Sequence, residues 1–101
     1  MADRLRVELA MPSRLLVSAS ADEVVIPGAE GYFGVLPGHA PLLATLGPGE
    51  VTIRSGPTER YVAVSGGFAE VGPDRVTILA DAAEPPEGID VARARAARER
   101  A

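Results

Sequence analysis

Short apolar runs separated by Gly and Pro clusters are the feature that most constrains how this chain can fold. The clusters have the composition of turns and are Pro27-Gly28, Pro37-Gly38, Gly47-Pro48-Gly49, Ser55-Gly56-Pro57, Gly66-Gly67 and Gly72-Pro73-Asp74. They leave eight runs of strand length, at residues 5–9, 15–19, 23–26, 42–46, 50–54, 60–65, 68–71 and 75–80. In the first run Leu5, Val7 and Leu9 alternate with charged residues, as in a half-buried strand. The pattern predicts a chain that is mainly β.

Many short strands at this spacing, with no helical pattern between them, indicate a flattened antiparallel sandwich or barrel of about eight to ten strands. A parallel sheet would require crossover helices. The apolar faces expected to be buried together are those of Val51, Ile53, Val62, Val64, Val76, Ile78 and Ala80. With two Tyr and two Phe in the whole chain, the core should be chiefly aliphatic, and we expect Phe68 to anchor it.

The composition changes after Asp81, where Pro85-Pro86 forms a hinge and an Ala, Arg and Glu-rich stretch follows. Asp90 is well placed to cap a helix that begins near Val91. We therefore expect a β-sandwich docking domain over residues 1–84, and a hinge with one short C-terminal helix over residues 85–101. Because the apolar stripe of this helix consists of small residues, it can bury little surface without a partner.

Composition also excludes several classes of function. The chain of 101 residues suits one domain, contains no Cys, and carries ten basic residues that are all Arg. Disulfides, thiolate chemistry and lysine chemistry are thereby excluded. The net charge of −4 argues against nucleic acid and favours protein partners. No apolar run approaches the roughly 18 to 20 residues that cross a bilayer, and the N-terminus lacks a signal-peptide pattern, so we expect a cytoplasmic location and indirect membrane contact.

Three sequence blocks carry a family resemblance. The string GAEGYFGVLPGHAPLL at residues 28–43 is followed by VSGGFAEV at 64–71 and by VTILADAA at 76–83. Taken alone, the glycine-rich string has the chemistry of surface loops and tight turns. In this order and spacing, however, the three blocks resemble the N-terminal sandwich of the epsilon subunit of rotary F-type ATP synthases. The resemblance covers nearly the whole chain, from Leu5 to the start of the helix.

In that family the sandwich sits at the foot of the central stalk, where it grips the gamma subunit and touches the polar loops of the c-ring. The resemblance implies a non-catalytic rotor subunit of a proton-translocating synthase, peripheral on the cytoplasmic face of the bacterial inner membrane. The motif positions that would dock gamma and the c-ring are Glu30, Gly31, Gly34, Pro37, Gly38, His39, Ala40, Pro41 and Leu42. Tyr32 departs from the acidic residue that many members carry near the c-ring, which favours apolar contact there.

Two interpretations of the tail stay open. Ile89, Asp90, Arg93 and Ala94 match the I/L-D-x-x-R-A signature with which some bacterial epsilon subunits bind ATP. The alternative is a capped, solvated helix in which Arg95 and Glu99 pair at i,i+4. The second helix of the family hairpin is absent from this sequence, so we expect weak ATP binding at most. Contact with the alpha/beta catalytic head through the tail, and inhibition of ATP hydrolysis, should be weak or lost.

The residues also bear on proton transfer, nucleotide binding and hydrolysis. His39, the single histidine, is expected to be a loop imidazole bonded to a backbone carbonyl or packed against gamma, rather than a group that transfers protons. No metal-ligand or catalytic constellation is evident. A stand-alone β-sandwich that binds nucleotides through Asp90 and Arg93 is an alternative function. A small hydrolase would have to use acids such as Glu70 and Asp74, which flank a turn.

Overall fold

The computed structural model describes residues 4–84, and nine strands make up most of this part of the chain. They are β1 (Leu5–Met11), β2 (Arg14–Ala21), β3 (Glu23–Gly28), β4 (Gly31–Val35), β5 (Leu42–Leu46), β6 (Gly49–Ser55), β7 (Thr58–Val64), β8 (Gly67–Val71) and β9 (Arg75–Ala80). Each of the eight predicted runs falls on a strand, which confirms the mainly β fold. Strand β4 was missed, because its two glycines were interpreted as loop residues.

The nine strands form one continuous sheet in the order β2-β1-β9-β8-β5-β3-β6-β7, and β4 pairs with β3 beside this path. The sheet curls so that β2 approaches β6, which gives the flattened, half-closed barrel that the sequence predicts. Within residues 4–84, no helix is long and apolar enough to cross a membrane. The predicted hinge and helix at residues 85–101 lie outside the described residues.

One pairing differs from the antiparallel prediction. Strands β1 and β9 run parallel, in register from Arg6 opposite Arg75 to Ala10 opposite Leu79. The other pairings are antiparallel. The prediction assumed that parallel strands need a crossover helix, but here strands β2 to β8 together supply the connection between β1 and β9. The first and last strands thus meet in the middle of one half of the sheet.

The core is aliphatic, as predicted, and the alternation of Leu5, Val7 and Leu9 places all three side chains inside. The predicted faces of β6, β7 and β9 are buried as well. Phe68 was expected to anchor this core, and that prediction is wrong, because 56% of Phe68 is exposed. In β8, Phe68 shares a face with the exposed Glu70, whereas Ala69 and Val71 point inward. Tyr61 is the buried aromatic side chain instead, with 1% exposed.

A polar network of Arg4, Asp22, Ser55 and Gly56, here called the Asp22 latch, closes one end of the curled sheet. The Arg4 guanidinium donates to an Asp22 carboxylate oxygen at 3.1 Å and to the Ser55 hydroxyl at 2.6 Å. The second Asp22 oxygen accepts from the Gly56 amide at 2.6 Å. Beside the latch, Glu23 and Arg54 form an ion pair. The network joins the start of β1, the β2–β3 turn and the β6–β7 turn.

Candidate docking surface

The β3–β4 hairpin carries the first part of the predicted docking motif. Its strands pair from Val24 opposite Val35 to Gly28 opposite Gly31, with Ala29 and Glu30 in the turn. A Cβ atom at Gly28 would lie 2.8 Å from the Gly31 carbonyl oxygen, closer than real Cβ contacts. The turn therefore requires glycine at position 28, and it projects Glu30 into solvent.

A groove separates this hairpin from β5. Strand β5 meets β3 at the pair Gly28 and Leu46, where the Ala29 amide also donates to the Thr45 carbonyl at 2.8 Å. The two elements enclose an open volume of about 530 Å³, here called the hairpin groove. Its walls are Gly28, Ala29, Glu30, Gly31, Phe33, Leu42, Leu43, Ala44 and Thr45.

The second part of the motif is the loop at residues 36–41, which connects β4 to β5. The loop is held to the β8–β9 turn, because the Gly38 amide donates to the Pro73 carbonyl at 2.7 Å. Nδ1 of His39 lies 2.6 Å from the Ala40 carbonyl oxygen, to which it can donate. This contact confirms the prediction of a loop imidazole bonded to a backbone carbonyl.

The nine predicted docking residues lie on the β3–β4 hairpin, in the loop that follows it and at the start of β5. Seven of them are exposed, and Pro37 and His39 are half-buried. Glu30 and Gly31 are at the turn of the hairpin and line the hairpin groove together with Leu42 on β5, whereas residues 37–41 are in the loop that follows β4. Gly34 lies on β4.

Sequence reasoning missed a second exposed surface. Phe68 on β8 is paired with Leu79 on β9, Leu79 with Ala10 on β1, and Ala10 with Leu15 on β2. These four residues form one row across the outer face of the sheet, here called the outer apolar row. Phe68 and Leu79 are each 56% exposed and Leu15 is 55% exposed. The signal was the period-two alternation in β8, which places Phe68 on the face of Glu70.

Comparisons with known proteins agree with this geometry. Residues 4–86 match the family model described as the ATP synthase, Delta/Epsilon chain, beta-sandwich domain. The ATP synthase epsilon chain of Koribacter versatilis is 52% identical over 101 residues, which cover all of this chain and 71% of that relative. The chain belongs to the ATP synthase epsilon chain family.

Other relatives and solved structures extend the comparison. The epsilon chain of Syntrophobacter fumaroxidans is 54% identical over 101 residues, which cover 75% of it. A chain of the cryo-EM structure of the Euglena gracilis mitochondrial ATP synthase, OSCP/F1/c-ring in rotational state 1, matches with a TM-score of 0.79 and 27% identity. That match covers 98% of this chain and 64% of the Euglena chain. A chain of the Tetrahymena thermophila mitochondrial ATP synthase central stalk/c-ring structure shares the fold, with a TM-score of 0.67 and 17% identity.

Tyr32, the position at which this epsilon-family chain departs from the motif, is 54% exposed. Its hydroxyl oxygen accepts a hydrogen bond from the Glu50 amide at 3.0 Å. The side chain therefore bonds within its own chain, although one part of the ring faces solvent.

The remaining candidate residues lie at the β8–β9 turn or outside the described residues. Glu70 and Asp74, the acids considered for a hydrolase, are both exposed, and they share a depression of about 260 Å³ with Arg75 at the β8–β9 turn. Among residues 4–84, no group of three or more His, Cys, Asp or Glu side chains could hold a metal ion. The ATP-signature residues Ile89, Asp90, Arg93 and Ala94 lie outside the described part of this epsilon-family chain.

Proposed function

We propose that this chain is a non-catalytic rotor subunit of a proton-translocating F-type ATP synthase. It docks the gamma subunit to the c-ring, so that torque from ion flow reaches the catalytic sites and drives ATP synthesis. The proposal is supported by the relatives, which are named ATP synthase epsilon chains, and by the Euglena match, which comes from an F1/c-ring assembly. The subunit is peripheral on the cytoplasmic face of the bacterial inner membrane, which it contacts only through the complex.

The observation that carries the proposal is the outer apolar row. Three large apolar side chains, Phe68, Leu79 and Leu15, face solvent in strand register on a sheet whose other face is a complete core. About half of each side chain is still exposed, so its burial against a partner would contribute about 1 kcal/mol. Contiguous exposed apolar surface of this kind marks protein interfaces. The row therefore favours a protein partner over a small-molecule substrate.

The second surface gives the subunit room for two partners. The β3–β4 hairpin, which carries Glu30, Gly31 and Gly34, lies beside the hairpin groove, on the opposite side of β5 from the row strands β8, β9, β1 and β2. A linker between two rotor parts needs separate contact surfaces, and the row and the hairpin supply them. No bond chemistry is assigned to either surface.

The test is assembly with cognate partners. Purified chain is mixed with the gamma subunit of the same organism, and then with its c-ring in detergent, and complexes are measured by size exclusion with light scattering. We expect a stable complex with gamma that recruits the c-ring, and no ATP hydrolysis by the chain alone. The proposal is contradicted if no complex with gamma forms under conditions in which the intact synthase assembles.

A further inference from the structure

The sheet branches at the point where β3 leaves β6. The two strands pair from Glu23 opposite Arg54 to Val25 opposite Thr52, and the same register, continued by two residues, would place Pro27 opposite Glu50. Strand β3 instead turns toward β5, and the Pro27 carbonyl accepts from the Gly47 amide at 2.9 Å. The Glu50 amide thus needs an acceptor from elsewhere than β3.

Tyr32 supplies that acceptor. It lies on β4, directly opposite Pro27 in the hairpin, and its hydroxyl oxygen is 3.0 Å from the Glu50 nitrogen. One side chain therefore reaches from β4 past β3 to the beginning of β6. Its hydrogen bond takes the place of the strand-to-strand bond that the branch removes.

Gly49 lies directly against the Tyr32 hydroxyl. A Cβ atom at this position would collide with the Tyr32 hydroxyl and would lie 2.8 Å from the Cβ atom of Pro27. Any side chain at position 49 is thus incompatible with Tyr32 in its observed place. The hydrogen bond to Glu50 and the close approach at Gly49 both fix the position of the Tyr32 hydroxyl.

We propose that Tyr32 is a positioning residue that sets the angle at which the β3–β4 hairpin presents its docking residues to the partner. The inference rests on the proposed docking function. Val35 is buried and anchors one end of β4 in the core. Near its turn the hairpin is held to β5 by backbone hydrogen bonds at Pro27 and Ala29, and to β6 by Tyr32. Among residues 4–84, β4 pairs with β3 alone, so without the Tyr32 contact the hairpin could tilt about its bonds to β5. Tyr32, Gly49 and Glu50 are called the Tyr32 clasp below.

The first test replaces Tyr32 by Phe, which keeps the ring and removes the acceptor. Hydrogen exchange of the Glu50 amide is expected to accelerate about fivefold, the factor that corresponds to one net hydrogen bond. Two dissociation constants are measured, that of the chain for cognate gamma and that of the chain for gamma with the c-ring. At least one of them is expected to rise by a similar factor. A role in stability alone would lower the Tm while leaving both Kd values unchanged.

A second variant, Gly49→Ala, displaces the tyrosine without removing its hydroxyl. Its matched control is Gly47→Ala, two residues away, where a Cβ atom would make ordinary contacts at 3.4 and 3.5 Å. Gly49→Ala should weaken partner binding at least as much as Tyr32→Phe, and Gly47→Ala should not. Because both changes break one clasp, the double variant should bind no more weakly than Gly49→Ala alone.

The outcomes separate the two proposals. If the wild-type chain binds neither partner, the docking function fails, and this inference fails with it. If the wild type binds and Tyr32→Phe binds equally well to gamma and to gamma with the c-ring, docking stands and the positioning role is overturned. Unchanged exchange of the Glu50 amide, or effects that add in the double variant, would also overturn it.

Discussion

The Asp22 latch and the outer apolar row lie on the same curled sheet, yet their side chains are engaged in opposite ways. At the latch, Arg4 and Asp22 are about half-exposed and are still bonded to each other and to the neighbouring turns. In the row, Phe68 and Leu79 are comparably exposed and lie on the outer face of the sheet, away from the core cluster. Equal exposure therefore accompanies internal bonding in one region and an open apolar surface in the other.

The two regions are therefore expected to have different roles, the latch in stability and the row in docking. The latch joins parts of the chain that are distant in sequence, so its loss should lower the free energy of unfolding. The row lies outside the core, so its loss should weaken binding while the fold persists. Substitutions in the two regions are therefore expected to give opposite patterns of stability and affinity.

The largest effect is expected from the double substitution Phe68→Asp with Leu79→Asp. Two carboxylates would replace the apolar contacts at the middle of the row, and burying them against a partner is unfavourable. We expect affinity for gamma to fall by about 100-fold, measured by biolayer interferometry. Because Phe68 and Leu79 are directly opposite each other, the two carboxylates repel and also disfavour the strand, so the free energy of unfolding in urea should fall by about 1 kcal/mol. That loss is smaller than the roughly 2.7 kcal/mol that a 100-fold loss of affinity represents.

The control for the row is Thr58→Asp, an exposed position at the start of β7 that is not part of the row. It adds one negative charge, half of the charge that the double variant adds, and should leave the affinity for gamma near that of the wild type. Equal losses in the double variant and in this control would mean that negative charge, and not the row, governs binding.

The next largest effect concerns the latch. Asp22→Ala removes both the acceptor for the Gly56 amide and the partner of Arg4. Hydrogen bonds to charged groups contribute about 1.5 to 3 kcal/mol, so we expect the free energy of unfolding to fall by about 2 kcal/mol. Affinity for gamma should stay unchanged at a temperature where the variant is folded. Asp22→Asn, which keeps a carbonyl acceptor, should lose about half as much.

A smaller effect is expected from Arg4→Ala. This change removes the ion pair with Asp22 and the bond to Ser55, but it leaves the bond between Asp22 and Gly56 in place. Both charged groups are partly exposed, so the loss should be about 0.5 to 1 kcal/mol, measured by chemical denaturation. A loss as large as that of Asp22→Ala would show that the Gly56 contact contributes little.

The smallest effect should come from Glu23→Gln, which removes one charge from the pair with Arg54. Side chains in such pairs at the surface contribute about 0.2 to 1 kcal/mol, and salt screens them. We expect a loss near the lower end of this range in dilute buffer and almost none in 1 M NaCl, by thermal denaturation. A loss that persists in high salt would indicate packing by Glu23 rather than charge pairing.

Much of the fold could be predicted because it rests on local patterns. Alternating aliphatic residues mark the inner faces of β1, β6, β7 and β9, and the turn clusters separate the strands. Strand β4 was missed because Gly31 and Gly34 have little strand propensity, and it is a strand through its pairing with β3. Phe68 was misplaced because its size was weighed above its position in the alternation. The parallel β1–β9 pair depends on contacts between distant segments, which local patterns do not report.

The candidate site, like the fold, could be predicted only in part from the sequence. The motif order predicted the docking residues, and the structure has them exposed or half-buried. The clasp between Tyr32 and Glu50 depends on how β3 leaves β6, which no local pattern reports. The outer apolar row joins residues from four strands, so its members are far apart in the sequence. Strand alternation is the sequence pattern that could have marked each of them as exposed.

Hydroxyl-radical footprinting of the chain with and without cognate gamma tests the docking claim most directly. The method reports the solvent exposure of individual side chains, and Phe68, Leu79 and Leu15 are both reactive and exposed in the free chain. The account predicts that gamma strongly reduces oxidation of these three side chains, while oxidation at Arg4 and its neighbours in the latch stays unchanged. Unchanged oxidation of the row in a saturated complex would contradict the account.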